Sequence, residues 1–221
     1  GSVLYWLRAS PMRHVLITGE PGVGKTTVFL AALHELKQSG AALFAAPTGF
    51  VTNEIRGSGG RGPRVGFEIE TIPDGVRARL ASVADARTGA APQGAAATVG
   101  RYDVHLQAVA NTGVPAVLAY RQHLRSRRGA GAAGPTPLVA VDEIGKMECL
   151  CADFAPAVRR TLDDPDVTVL ATVAAAGRGF IEEVKLRRDV HVFTVTRANR
   201  DDAPASVAAL LRRARAHIGA D

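Results

Sequence analysis

Gly19-Glu20-Pro21-Gly22-Val23-Gly24-Lys25-Thr26-Thr27 fits G-x-x-x-x-G-K-[ST], the phosphate-binding loop that joins a strand to a helix. Its glycines permit backbone conformations and close approaches that a Cβ would block, so successive N–H groups can turn inward around phosphate oxygens. The helix that follows aims its positive end at the same anion. All nine residues are candidate nucleotide contacts. Lys25 is positioned to reach the β and γ oxygens as a point charge, and Thr26 to ligate the Mg²⁺ that bridges them. Both flanks agree with this reading. His14-Val15-Leu16-Ile17-Thr18 is a short apolar run of strand type, and Phe29, Ala32, Leu33 and Leu36 recur at i, i+3, i+4, i+7 along a predicted helix from Lys25 to Ser39, stopped by Gly40.

Further along the chain, apolar runs separated by helical patterns predict an α/β fold whose central sheet is mostly parallel and covered on both faces, a three-layer sandwich. About five core strands are expected: 14–18, 42–46, 138–142, 167–172 and 190–195. Helices are expected near 153–162, 180–187 and 204–218. The stretches 50–56 and 65–72, flanking a glycine-rich segment, predict a β-hairpin inserted between the second and third core strands. A further strand is expected over 99–106. Segments 84–98 and 126–137, rich in Ala, Gly, Pro and Arg, are expected to be loops within one domain spanning 12–221. Residues 1–11 are expected to be an N-terminal extension, and Gly1-Ser2 has the look of a cloning remnant.

A chain of 221 residues that is 47% hydrophobic can bury a substantial core. Its formal charge of +6 suits a polyanionic partner, either a small phosphate ester or a nucleic acid. The densest basic cluster is Arg121, Arg125, Arg127 and Arg128. With only 5% aromatic residues the chain offers little stacking surface for single strands, so nucleic acid is the less favoured partner. The two cysteines, Cys149 and Cys151, lack a second pair or a neighbouring His to complete a zinc site and read as free thiols. No apolar run is long enough to span a membrane. These features lead to the expectation of a cytoplasmic or nuclear protein, and of a monomer.

Four apolar residues followed by two acids, Leu138-Val139-Ala140-Val141-Asp142-Glu143, form a Walker B pattern about 115 residues beyond Thr27. Asp142 at a strand end would hold the Mg²⁺. Glu143 can orient and deprotonate a water, which points to hydrolysis of a nucleoside triphosphate. Transfer of the γ-phosphate to an acceptor by a nucleotide or nucleoside kinase stays open as the alternative.

Asp142-Glu143-Ile144-Gly145-Lys146-Met147-Glu148 resembles the D-E-I-G-K-M-E signature of the small P-loop nucleoside triphosphatases of thermophiles and their animal counterparts, the cancer-related nucleoside triphosphatases. The segments Thr52 to Arg56, Arg64 to Phe67, Val99 to Val104 and Val192 to Asp201 are similar to stretches of the same family. Asn53 departs from it, standing where a first glutamate is usual. The resemblance implies slow, Mg²⁺-dependent hydrolysis of several nucleoside triphosphates with broad base specificity. Beyond Lys25 and Mg²⁺, the γ-phosphate needs cations. Lys146 is the first candidate, ahead of Arg56 and Arg101. Asn199 and Arg200, with Thr196, are candidate contacts to base or ribose, because they follow the last strand at the carboxyl edge of the sheet.

Overall fold

A computed structural model describes residues 12–38, 43–57, 61–83, 97–129 and 134–216. The expected extension at 1–11, residues 84–96 and 130–133 of the expected loops, and the side chains of Arg127 and Arg128 lie outside what is described.

Among the described residues, nine strands form one sheet in the order β5-β6-β4-β3-β2-β7-β8-β1-β9. In chain order they are β1 (His14–Thr18), β2 (Thr48–Arg56), β3 (Arg64–Ile72), β4 (Arg77–Val83), β5 (Ala97–Val99), β6 (Tyr102–Val104), β7 (Leu138–Ile144), β8 (Thr168–Val173) and β9 (Val190–Thr194). The run β2-β7-β8-β1-β9 is parallel, and β2-β3-β4-β6-β5 is antiparallel. The parallel half matches the five expected core strands in number.

Side chains alternate between the two faces of each parallel strand. On one face Val15, Ile17, Leu138, Ala140 and Leu170 pack with Phe29 and Ala32 of α1 (Lys25–Gln38) and with Val207 and Leu211 of the C-terminal helix (Ala203–Ala216). On the other, Leu16, Val139, Val141, Val169 and Ala171 pack with Val117, Tyr120, Phe154, Val158 and Leu162. Strands buried on both faces lose the period-two polarity of a half-exposed strand, which is why β1, β7 and β8 read as unbroken apolar runs.

The second core strand is not 42–46. There only Phe44 makes a bridge, parallel to Thr136. Pro47 follows, and proline both lacks an N–H and restricts the residue before it. The ladder begins instead at Thr48, where Thr48, Gly49 and Phe50 pair with Val139, Ala140 and Val141 of β7. Gly49 allows that approach: its φ is +130°, and a Cβ there would stand 1.9 Å from the Ala140 carbonyl oxygen. β2 then runs on as the first arm of the hairpin, so the expected hairpin is present and its first arm is continuous with the core strand.

The segment 106–129 is helical in pieces: α2 (Leu106–Ala108), a π-helical turn (Val109–Gly113), α3 (Val114–Leu118) and α4 (Tyr120–Gly129). The break coincides with Gly113 and Pro115; Pro115 has no N–H to offer the carbonyl of Asn111. Arg121 and Arg125 of the basic cluster sit on α4. Two further helices, α5 (Phe154–Asp163) and α6 (Phe180–Lys185), precede β8 and β9, which makes the C-terminal helix α7. Among the described residues no helix is long and apolar enough to cross a membrane.

Candidate active site

The loop between β1 and α1 is held by its own backbone. Val195 N–H donates to Thr18 O at 2.8 Å, tying the start of the loop to the end of β9. A Cβ on Gly19 would stand 2.5 Å from Val195 O. Gly22 and Gly24 have φ of +76° and +108°, and a Cβ on either would meet nothing within 4 Å. Their requirement is thus conformational, and the hollow of the loop stays open. Lys25 Nζ folds across it, donating to Gly19 O at 3.0 Å and Glu20 O at 3.2 Å. These carbonyls hold the ammonium where an anionic oxygen would replace them.

Asp142 faces this loop from the end of β7 and is buried. Thr172 Oγ1 of β8 donates to its Oδ1 at 2.5 Å, and Thr52 Oγ1 of β2 donates to its backbone oxygen at 2.5 Å. Thr172 thus fixes the carboxylate, while Thr52 fixes the backbone that carries it. Burial raises its pKa, opposed by the Thr172 bond, the Thr26 hydroxyl and the charge of Lys25. Oδ2 of this carboxyl is buried with no hydrogen-bond partner. An orphaned carboxylate oxygen is costly unless something else meets it. A divalent cation held between Thr26 Oγ1 and Asp142 Oδ2 would do so. Among the described residues no group of three or more His, Cys, Asp or Glu is disposed to hold a metal. A cation here would therefore complete its shell with water and phosphate oxygens, as Mg²⁺ prefers.

Glu143 is partly buried, and burial raises its pKa, against the pull of Lys25 and with a further push from Asp142. A carboxylate of raised proton affinity is the better base. Behind it lies Glu148, 4% exposed. Its pKa is pushed up to about 8 by burial, with the backbone N–H groups of Glu148 and Gly145 opposing and Glu143 and Asp142 adding to the rise. The two glutamates flank Gly145: a Cβ there would lie 2.7 Å from Glu148 Oε2 and 3.2 Å from Glu143 Oε1.

These groups border a cleft of about 700 Å³ between the loop, the end of β7 and the hairpin. Lys25, Thr26, Asp142, Glu143 and Lys146 all line it, and so do Thr52, Glu54, Arg64, Phe67 and Glu148, which the sequence does not single out for a role. A second cleft of about 820 Å³ lies on the other side of the loop, lined by Gly19 to Val23, Ala175, Lys185, Thr194, Thr196 and Arg197.

Asn199 and Arg200 border neither cleft. Asn199 Oδ1 accepts from Thr196 N–H at 2.8 Å and its Nδ2 donates to Thr194 O at 3.0 Å, so its amide shapes the loop after β9. Arg200 reaches only Asp201, at 3.6 Å. Val195, Thr196 and Arg197 are the residues of that loop that line the cleft. Arg56 and Arg101 also lie outside both clefts. The first pairs with Glu54 at 2.6 Å, and the second donates to Arg64 O and to Tyr102 Oη, each at 3.2 Å. Thr172 is occupied by Asp142. Cys149 and Cys151 are free thiols, and burial pushes Cys149 up to about 12, far from the reactive thiolate.

Likeness to known proteins agrees with this geometry. A family model described as NTPase matches residues 14–208. The chain is 34% identical to the mouse cancer-related nucleoside-triphosphatase homolog over 207 residues, covering 92% of this chain and 98% of that protein. It is 34% identical to the nucleoside-triphosphatase THEP1 of Thermofilum pendens, covering 89% and 93%. Among solved structures, the crystal structure of THEP1 from Aquifex aeolicus superposes with a TM-score of 0.70 at 27% identity, over 90% of this chain and 98% of that one.

Proposed function

The chain belongs to this NTPase family, and from that premise we propose that it is a nucleoside-triphosphate phosphohydrolase that cleaves the β-γ anhydride at the loop of Gly19 to Thr27. The observation that carries the reading is the convergence of Lys25, Thr26, Asp142 and Glu143 on one cleft. Lys25 exchanges its two carbonyl partners for β and γ oxygens when the triphosphate arrives. Thr26 and Asp142 Oδ2 would hold Mg²⁺, which would supply positive charge to the phosphate groups. Thr172 keeps the Asp142 carboxylate turned to that task, and Thr52 anchors its main chain. Glu143 takes the proton of a water that attacks the γ-phosphorus. Lys146, exposed at the rim of the same cleft, adds positive charge near the departing phosphate.

The nucleoside half of the substrate occupies the second cleft. Glu20 is the one carboxylate among its lining residues, and no Asn or Gln side chain lines it to read a base edge. Lys185, Thr194, Thr196 and Arg197 also line it, and broad tolerance of bases rests on the family resemblance. A kinase reading has no comparable support, since the relatives that the chain matches over most of its length are named nucleoside-triphosphatases.

The test is phosphate release from several nucleoside triphosphates with Mg²⁺ and no acceptor. Wild type releases phosphate from each, and Lys25→Ala does not. No release by wild type above the Lys25→Ala variant would show that this is not a hydrolase.

A further inference from the structure

We propose that Arg64 is a catalytic residue of this reaction, an arginine supplied by the chain itself that donates to the γ-phosphate oxygens as the anhydride breaks. The proposal rests on the hydrolase reading and adds a residue to it. Phosphoryl transfer gathers negative charge on the γ oxygens, and a guanidinium that meets it there accelerates the step. Arg56, Arg64 and Arg101 all lie on or beside the hairpin, yet only Arg64 borders the cleft shared by Lys25, Asp142 and Glu143.

The setting of Arg64 is that of a group held ready. Its guanidinium carbon lies 5.2 Å from the centre of the Phe67 ring, which stacks edge-on against Tyr102 at 5.1 Å. Arg101 braces the same strand through Arg64 O at 3.2 Å. One nitrogen, Nη2, donates to Glu54 Oε1. The Nε of Arg64 is buried and has no hydrogen-bond partner. Burying a donor without a partner is unfavourable, and a phosphate oxygen would relieve it. Glu54 meanwhile neutralises Arg64 in the free protein, and Arg56 shares the same carboxylate. An ion pair this exposed, 38% and 37% for the two side chains, is weak enough to exchange for a doubly charged phosphate.

The step balances without any further reactant. The water oxygen bonds to the γ-phosphorus and its proton passes to Glu143. The bond from that phosphorus to the bridging oxygen breaks, and the electron pair leaves with the nucleoside diphosphate. Arg64 forms no covalent bond; it strengthens its hydrogen bonds as charge develops.

Arg64→Ala tests this against Arg56→Ala, which loses the other partner of Glu54. Expected for Arg64→Ala is a fall in kcat of at least about 10²-fold, nucleoside diphosphate affinity within about threefold of wild type, and loss of the tight complex that wild type forms with Mg-diphosphate and fluoroaluminate. Arg56→Ala is expected to keep turnover within about threefold and to keep that complex. If Arg64→Ala turns over within threefold of wild type, or retains the fluoroaluminate complex, or loses diphosphate affinity in proportion to kcat, the assignment is wrong. Arg64→Gln, which keeps hydrogen-bonding atoms and drops the charge, reads the same three quantities should Arg64→Ala fail to fold. Absence of phosphate release by wild type would refute the hydrolase reading; release by wild type matched by Arg64→Ala refutes only the role of Arg64.

Discussion

At Gly145 a single methyl group would press on both glutamates at once, 2.7 Å from Glu148 Oε2 and 3.2 Å from Glu143 Oε1. Glu148 is buried and cannot swing aside, so the displacement passes to Glu143. Gly145→Ala is therefore expected to lower kcat by about 10²-fold while triphosphate binding persists, because ångström-scale misplacement of a base costs about that much; stopped turnover with intact binding is the reading in a nucleotide-binding and phosphate-release pair of assays. Glu148 itself gives a pH signature. Its folded pKa of about 8 lies above its ordinary 4.5, so the folded state holds a proton that the unfolded chain sheds between those values. Wild type and Glu148→Gln should have a constant stability difference below pH 4.5, wild type should lose ground as pH rises toward 8, and the difference should level off above it. Denaturation of the metal-free proteins across that range measures this, and a pH-independent difference would contradict the burial argument. Lys25, Thr26, Asp142 and Glu143 were legible in the sequence because each sits inside a local motif whose chemistry dictates its neighbours. Arg64 and Glu148 were not marked out in that way, since each gains its place from pairing across strands or from burial. Asn199 and Arg200 follow the right strand, but position on a loop does not say where a side chain points.

The sheet turns from parallel to antiparallel at β2, and its glycine is the weak point. Gly49→Ala puts a Cβ 1.9 Å from Ala140 O on backbone at φ +130°, combining a collision with a conformational strain. A loss of at least about 3 kcal/mol is expected from these together; chemical denaturation measures it, and a change below about 1 kcal/mol would show that β2 and β7 are not so closely paired. β1 carries a second element-level signature. His14 is buried, with Nε2 directed at Leu162 O at 3.0 Å and Nδ1 accepting from Val169 N–H at 3.1 Å. Burial lowers its pKa from 6.5 to about 4, although Asp189 at 3.7 Å pulls the other way. The unfolded chain takes up a proton as pH falls through 6.5 while the fold refuses it until about 4, so stability contributed by this residue is present above 6.5 and lost across that window. A melting temperature that falls between pH 6.5 and 4 less steeply in His14→Gln than in wild type would bear this out. Strands buried on both faces were readable as apolar runs, whereas Pro47 hid the true start of β2. Gly113 and Pro115 broke the helical period of 106–129, and β4, with exposed Arg77 and Arg79, carries too little apolar pattern to stand out.

Across the whole molecule, one sheet serves two purposes. Its parallel half, packed between α1 and α7 on one face and α3 and α5 on the other, presents the loop of Lys25 and the carboxylates of β7 at its carboxyl edge, where α/β proteins receive ligands. Its antiparallel half extends β2 until Glu54, Arg64 and Phe67 border the same cleft. The apolar runs of the first half and the hairpin of the second were legible in the sequence, but the continuity of β2 through both was not, because it depends on a close approach at Gly49 that only the fold reveals. The account stands on water attacking the γ-phosphorus with Glu143 as its base. Hydrolysis in ¹⁸O-labelled water, with mass analysis of both products, tests it most directly. Wild type should release phosphate carrying one ¹⁸O and an unlabelled nucleoside diphosphate, and Glu143→Gln should bind the triphosphate yet form neither product at a comparable rate. Label in the diphosphate, or phosphate released by Glu143→Gln as fast as by wild type, would contradict it.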